Sequence, residues 1–145
     1  MRRTLRVALT TLGLALAGAL GAYAATNLTT TDITYAKFCD SSGCSVQWNS
    51  WVCNQDPVNT ISFVQGTYWG YSGSISTCTG RWDSSNSTYL TPNTCQWILT
   101  YGPGYVGSKV SQGTCLTVKS YVDIYCAVSE TSESDNTVTK TLCIN

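Results

Sequence analysis

Beyond residue 26 the chain alternates apolar and polar positions with a period of two, the signature of half-buried strands. In 115–128, Leu116, Val118, Val122, Ile124, Cys126 and Val128 share one face, interrupted by Ser120. Thr117, Lys119, Tyr121, Asp123 and Tyr125 line the wet face. This run reads as one long bent strand or two joined ones. In 95–101, Cys95, Trp97, Leu99 and Tyr101 alternate with Gln96, Ile98 and Thr100. The first set reads as the apolar face, which places Trp97 in the core. Cys44, Val46, Trp48 and Val52 make another apolar face, with Trp51 on the opposite side. Val138, Leu142 and Ile144 form a fourth, interrupted by Lys140. Residues 61–68 are a less regular strand. In 27–37, Thr29, Thr31, Ile33 and Tyr35 fall on one side. No apolar spacing of the helical kind recurs in this region.

Turn chemistry separates the runs. Asp56-Pro57, Asp83-Ser84-Ser85-Asn86, Thr91-Pro92-Asn93 and Gly102-Pro103-Gly104 all favour reversals. Residues 130–136 read as an acidic, serine-rich, solvated connector. About seven short strands with turns between them predict an all-β fold, a small disulfide-rich antiparallel sandwich or barrel.

The first 24 residues have a different character. Arg2, Arg3 and Arg6 precede an uncharged run over 7–25, which reaches Ala22-Tyr23-Ala24, a small-x-small pattern. This is the layout of a secretory signal peptide. A retained hydrophobic helix acting as an anchor is the alternative, since the run just reaches bilayer-spanning length. The expected organisation is therefore a signal peptide or retained helix over 1–24, an extended N-terminal arm over 25–38 and a disulfide-rich β domain over 39–145.

Cysteine content supports export. Cys39, Cys44, Cys53, Cys78, Cys95, Cys115, Cys126 and Cys143 all lie beyond the leader. An even count in an exported chain reads as a disulfide framework. Close C-x-x-C pairs and histidine are both missing, which disfavours a metal site. Cys78 to Cys95 and Cys126 to Cys143 enclose inserts of equal length, suggesting the pairs Cys78–Cys95 and Cys126–Cys143. Only 23 Leu, Ile, Val and Phe residues remain after the leader is removed. Four bridges, at roughly 2–4 kcal/mol each, would then matter against a net stability of ~5–15 kcal/mol.

Charge and chemistry narrow the function. Without the leader, five basic and eight acidic residues remain, a net of −3. That is no footprint for nucleic acid, and a membrane would be met only through an uncleaved N-terminal segment. With no histidine, and with Asp32, Asp40, Asp56, Asp83, Asp123, Glu130, Glu133 and Asp135 read as turn caps or surface charge, no catalytic group is expected. No cofactor, metal ligand or calcium loop of the Asp-x-Asp type is expected either. Aromatic side chains carry the functional signal. Trp69, Tyr71, Tyr121 and Tyr125 are the candidate contact residues, because exposed rings stack on sugars or proteins. Asn27 and Asn86 head Asn-x-Ser/Thr sequons. Three functions follow. The first is an extracellular structural or adhesive surface protein, self-assembling or binding another surface protein or glycan, with residues 26–37 as a free arm that joins a neighbour's sheet. The second is a secreted monomeric carbohydrate-binding module. The third is a secreted inhibitor or toxin.

Overall fold

In the computed structural model, residues 26–70, 78 and 82–145 are described. The hydrophobic leader and Tyr71 lie outside them. The described residues contain no helix. Seven strands run β1 (Leu28–Asp40), β2 (Gly43–Asn54), β3 (Ile61–Trp69), β4 (Ser84–Leu90), β5 (Thr94–Tyr101), β6 (Cys115–Tyr121) and β7 (Thr137–Cys143). They form a sandwich: a three-stranded sheet ordered β1-β2-β5 and a four-stranded sheet ordered β4-β3-β6-β7. Every pairing is antiparallel, and the chain crosses between sheets three times.

The inner faces follow from the period-two pattern. Ile33, Cys44, Val46, Trp48, Val118 and Ile144 pack at one end of the sandwich. Leu28, Val52, Ile61, Phe63, Leu90, Ile98 and Val122 pack at the other. Between them runs a buried polar seam. Ser120 Oγ on β6 donates to Ser50 Oγ on β2 at 2.7 Å. Gln65 Nε2 on β3 donates to Ser120 Oγ, and Thr67 of β3 meets Thr100 of β5 at 2.7 Å. The Ser50–Ser120 and Thr67–Thr100 bonds cross the gap between the sheets, where an unpaired hydroxyl would cost about 1–3 kcal/mol. Gly66 sits mid-strand because a Cβ there would fall 2.6 Å from Ile124 Cγ2.

Several expectations need correction. The arm expected over 25–38 is, from residue 28 on, not free. β1 pairs with β2 along its whole length, and Leu28 and Ile33 are fully buried, so this segment completes its own sheet. The 115–128 run ends as a strand at Tyr121. Asp123 and Cys126 take positive φ (52° and 49°), and the Asp123 carboxylate accepts from the backbone N–H of Ala127 and Val128 at 3.1 and 2.8 Å. Asp123 is thus a buried turn cap. The predicted turn over 83–86 is largely strand. Ser84–Leu90 is a polar edge strand, and only Asp83 caps, accepting from Trp69 N–H at 2.9 Å. β5 faces the other way from the expectation: Ile98 and Thr100 are buried, while Trp97 and Tyr101 are exposed.

The disulfides are Cys39–Cys44, Cys53–Cys95, Cys78–Cys126 and Cys115–Cys143, and no cysteine is free. The expected pairs Cys78–Cys95 and Cys126–Cys143 are both wrong. Strand register decides three of the bridges: Cys39 stands opposite Cys44, Cys53 opposite Cys95 and Cys115 opposite Cys143. Cross-strand neighbours on one face are within bonding reach, whereas equal insert length carries no spatial information.

Of these bridges, Cys53–Cys95 spans a sequence separation of 42 and closes a loop that contains β3 and β4. Replacing both cysteines by alanine is expected to cost about 2–4 kcal/mol in urea denaturation under oxidising conditions. A loss below about 1 kcal/mol would show that the bridge adds little to a register already set by packing.

Candidate functional site

Alternation on β2 and β5 sends Gln47, Asn49, Trp51 and Cys53 to the same outer face as Tyr101, Leu99, Trp97 and Cys95, each directly opposite its partner. On the other side of β2, Asp32, Thr34 and Ala36 of β1 stand opposite Trp51, Asn49 and Gln47. The outer face of the three-stranded sheet therefore carries two ring pairs. Trp51 and Trp97 have ring centroids 5.1 Å apart at an interplanar angle of 54°. Tyr101 meets Tyr105, from the following loop, at 5.4 Å and 43°. Trp97, Tyr101 and Tyr105 are each nearly half exposed. Tyr101 lies four positions beyond Trp97, which sets the two ring pairs about 13 Å apart along β5. Gly104, with φ 83°, lets this loop close on the sheet, since a Cβ would fall 2.4 Å from Ser45 Oγ.

Beside the indole pair lies an open depression of about 370 Å³ lined by Thr31, Asp32, Trp51 and Trp97. The Asp32 carboxylate accepts from Lys140 Nζ at 2.7 Å and from Ile33 N–H at 2.8 Å. The hydrogen bond from Lys140 holds the Asp32 carboxyl below the usual carboxylate range. A hydroxyl and a carboxylate thus border an apolar ring surface, the carboxylate held by the Lys140 ammonium. Lys140, which interrupts an apolar face in the sequence, has a place here.

A second open depression, about 430 Å³, lies on the four-stranded side, lined by Ser62, Phe63, Val64, Ser87, Thr88, Tyr89, Asp123, Tyr125 and Ala127. Tyr125 is about half exposed and is braced edge-on by Trp82 at 5.1 Å. Of the three described aromatic candidates drawn from sequence, Tyr125 is on an open surface and the other two are not. Tyr121 is buried and stacks on Tyr68 at 6.0 Å. Trp69 is half-buried against Trp48, 6.1 Å away. Tyr71 lies outside the described residues. Trp51, Trp97, Tyr101 and Tyr105 were missed. Their signal is phase: Trp51 shares parity with Cys53, and Trp97 with Cys95.

Asn86 is exposed on β4, and its Nδ2 donates to Leu99 O at 3.0 Å. Asn27 Nδ2 donates to Asp135 Oδ2 at 3.0 Å and to Gln55 Oε1 at 3.2 Å, so a glycan there would break two bonds. Cys78, Cys126 and Glu133 bring donor atoms within 4.8 Å of one another, but both sulfurs are committed to one disulfide and offer no thiolate.

The 130–136 connector is not solvated as expected. It packs on the start of β1. Thr131 N–H donates to Thr26 O at 3.2 Å and Thr30 N–H to Asp135 O at 3.1 Å. Glu130 is half-buried, taking Leu28 N–H on one oxygen and Asn136 Nδ2 on the other. Burial, reinforced by the Glu133 and Asp123 carboxylates, pushes the Glu130 carboxyl up to about 7. Asp56 behaves oppositely. Buried, it accepts from the Asn59 side chain and from the N–H groups of Asn59 and Val58, which hold it well below the usual range.

No family model matches the chain, and no curated protein matches it. Among solved structures it is similar to the CARDB domain of the PF1109 protein from Pyrococcus furiosus, which was solved in complex with di-metal ions. The TM-score is 0.57 at 15% identity, over 83% of this chain and 90% of that one. It is also similar to DesR, a β-glucosidase from Streptomyces venezuelae solved with D-glucose, with a TM-score of 0.42 at 12% identity, over 81% of this chain and 15% of that one. The first likeness shows the fold, a CARDB-like β-sandwich. The second carries no argument.

Because the folded state holds the Glu130 proton more tightly than the ordinary carboxyl value of 4.5, it binds more protons than the unfolded chain between about pH 4.5 and 7. Stability in metal-free buffer is therefore expected to fall as pH rises through that window and to level above it. Glu130→Gln should flatten the slope. Parallel curves for wild type and variant in urea melts at pH 5, 6, 7 and 8 would refute the assignment.

Proposed function

We propose that the protein is an extracellular, non-catalytic adhesive module that binds a glycan across the outer face of its three-stranded sheet. The single observation that carries this reading is the set of rings on that face, half-buried Trp51 with exposed Trp97, Tyr101 and Tyr105, beside the depression bordered by Asp32 and Thr31. Pyranose rings present apolar C–H faces that stack on indole and phenol, while their hydroxyls need donors and acceptors at the rim. Asp32, Lys140, Thr31 and Asn49 meet that need. Four disulfides with no free thiol suit a compartment outside the cytoplasm.

Assembly into filaments is the second reading, and one observation favours it. β1 is an edge strand of 13 residues whose distal part, residues 36–40, is exposed, with Phe38 79% accessible. An uncovered edge of this kind can pair with another chain. The donated-arm route has no support, because residues 28–40 are used at home.

The test is a glycan array with the oxidised protein, followed by titration of the best hit. Trp97→Ala and Tyr101→Ala are each expected to weaken binding by about 2- to 10-fold, from ~0.5–1.5 kcal/mol per stacked ring. Tyr125→Ala, on the other sheet, should leave affinity unchanged. Undiminished binding by a Trp97→Ala/Tyr101→Ala double variant would move the site elsewhere, and light scattering that shows concentration-dependent growth without any glycan hit would favour the filament reading.

A further inference from the structure

The edges of the sandwich are not equally covered. β4 and β5 bond to each other through side chains: Tyr101 N–H donates to Ser84 Oγ at 3.0 Å, and Asn86 Nδ2 to Leu99 O at 3.0 Å. β7 lies along the first part of β1, where Lys140 meets Asp32 and Tyr35 Oη donates to Cys143 O at 2.6 Å. Past Tyr35 this cover ends, and residues 36–40 are all exposed. Phe38, 79% accessible, is the most exposed large apolar side chain among the described residues. Bonding across β2 shows which backbone groups this edge offers. Cys44 exchanges both its bonds with Val110, at 2.7 and 3.1 Å, and Val46 bonds to Pro103 and Gly102, at 2.8 Å each. These bonds lie on the side of β2 away from β1. Cys44 stands opposite Cys39, and Val46 opposite Lys37, so neither pair exchanges bonds between β1 and β2. The Cα atoms of Cys39 and Cys44, 4.0 Å apart, have the close spacing of such a pair. The N–H and C=O of Lys37 and of Cys39 therefore point outward, and no described residue takes them. The Cys39–Cys44 bridge and the Lys109–Asp40 ion pair hold this end of the hairpin in place.

We infer that residues 36–40 are a self-association edge, through which two copies of this chain pair antiparallel about a two-fold axis at Phe38. Reversed on itself, the strand sets Lys37 opposite the second copy's Cys39. The outward N–H and C=O groups of these two residues then bond to each other in both directions. The two Phe38 side chains fall on the axis in a non-hydrogen-bonded pair, where side chains approach closest, and each covers the other. Charge favours this register. It brings the Lys37 end of each strand to the Asp40 end of the other, whereas centring the pair on Lys37 would oppose two ammonium groups. A two-fold contact is isologous and closes, so this edge, paired with itself, stops at two copies instead of growing into a filament. The product is one continuous sheet ordered β5-β2-β1-β1-β2-β5. The axis stands perpendicular to that sheet, so the outer faces of both copies, with their ring pairs, look the same way. That consequence rests on the glycan reading proposed above: two sites facing one surface hold it more tightly than either alone. The pairing itself does not depend on it. A contact of five residues a side buries less than ~1,200 Å², which makes the pair a weak, concentration-dependent one.

The test is sedimentation velocity on the oxidised protein, without glycan, over micromolar to millimolar concentrations. A monomer–dimer equilibrium with a Kd of about 10⁻⁵–10⁻³ M is expected. Phe38→Asp opposes two carboxylates at the axis. Lys37→Pro removes an outward N–H but none that β2 uses, and proline is tolerated on an edge of this kind. Each should weaken dimerisation at least about tenfold while the melting temperature of the dilute protein stays close to that of wild type. If one variant does not fold, the other carries the comparison. A monomer throughout the concentration range would overturn the inference. So would growth past two copies, or wild-type dimerisation by the folded variants. A dimer without any hit on the glycan array supports the pairing and overturns the glycan reading alone.

Discussion

The two sheets must be held together without help from sulfur. Cys39–Cys44 and Cys53–Cys95 lie within the three-stranded sheet, Cys115–Cys143 lies within the four-stranded sheet, and Cys78–Cys126 joins two connections of the four-stranded sheet. Cohesion between the layers rests on the apolar side chains of the inner faces and on the Ser50–Ser120–Gln65 and Thr67–Thr100 bonds. The bridges act along the sheets and in the unfolded chain, where they remove loop entropy. The core acts across the sheets. A chain this poor in Leu, Ile, Val and Phe uses both because neither covers the other's direction.

That division of labour frees the outer faces. With register pinned by cross-strand cystines, the exterior of the three-stranded sheet need contribute little to stability, and it can display indole and phenol rings to solvent. Single exposed apolar residues are ordinary, but contiguous patches mark recognition surfaces. The indole pair on β2 and β5 adjoins the Asp32–Lys140 ion pair, which ties the edge of one sheet to the edge of the other. The same face thus combines apolar area with a fixed polar rim. Three of the four rings, Trp51, Trp97 and Tyr101, sit on strands, so little ordering is needed on contact.

Much of this architecture is legible in the sequence. Alternation located six of the seven strands, and Trp48, Val46 and Ile144 are core as their phase demands. β4 was hidden because Ser84–Leu90 is an edge strand of mostly polar residues, and its serines read as a turn. β5 was found but turned over. Trp97 and Ile98 are both apolar, and only the partner of Cys95, 42 residues away, says which of them faces inward. Tyr121 looked wet beside Lys119 and Asp123, yet the chain turns immediately after it and folds the ring against Tyr68. Glu130 and Asn136 looked solvated for the same reason: nothing local reveals that Asn27 and Leu28 return to cover them. The misreadings of β5, Glu130 and Asn136 concern long-range neighbours, whereas the successes rest on a local period.

The Cys53–Cys95 bond fixes more than distance. In a strand, a shift of one residue carries each side chain to the opposite surface. By joining residues that share parity with Trp51 and Trp97, this bond decides that both indoles point outward. A molecule oxidised with the wrong partners could bury them or leave the pair mismatched. Sulfur isomers of this chain would then differ in the surface they display as well as in connectivity, and hydrophobic chromatography would sort correctly oxidised molecules from the rest.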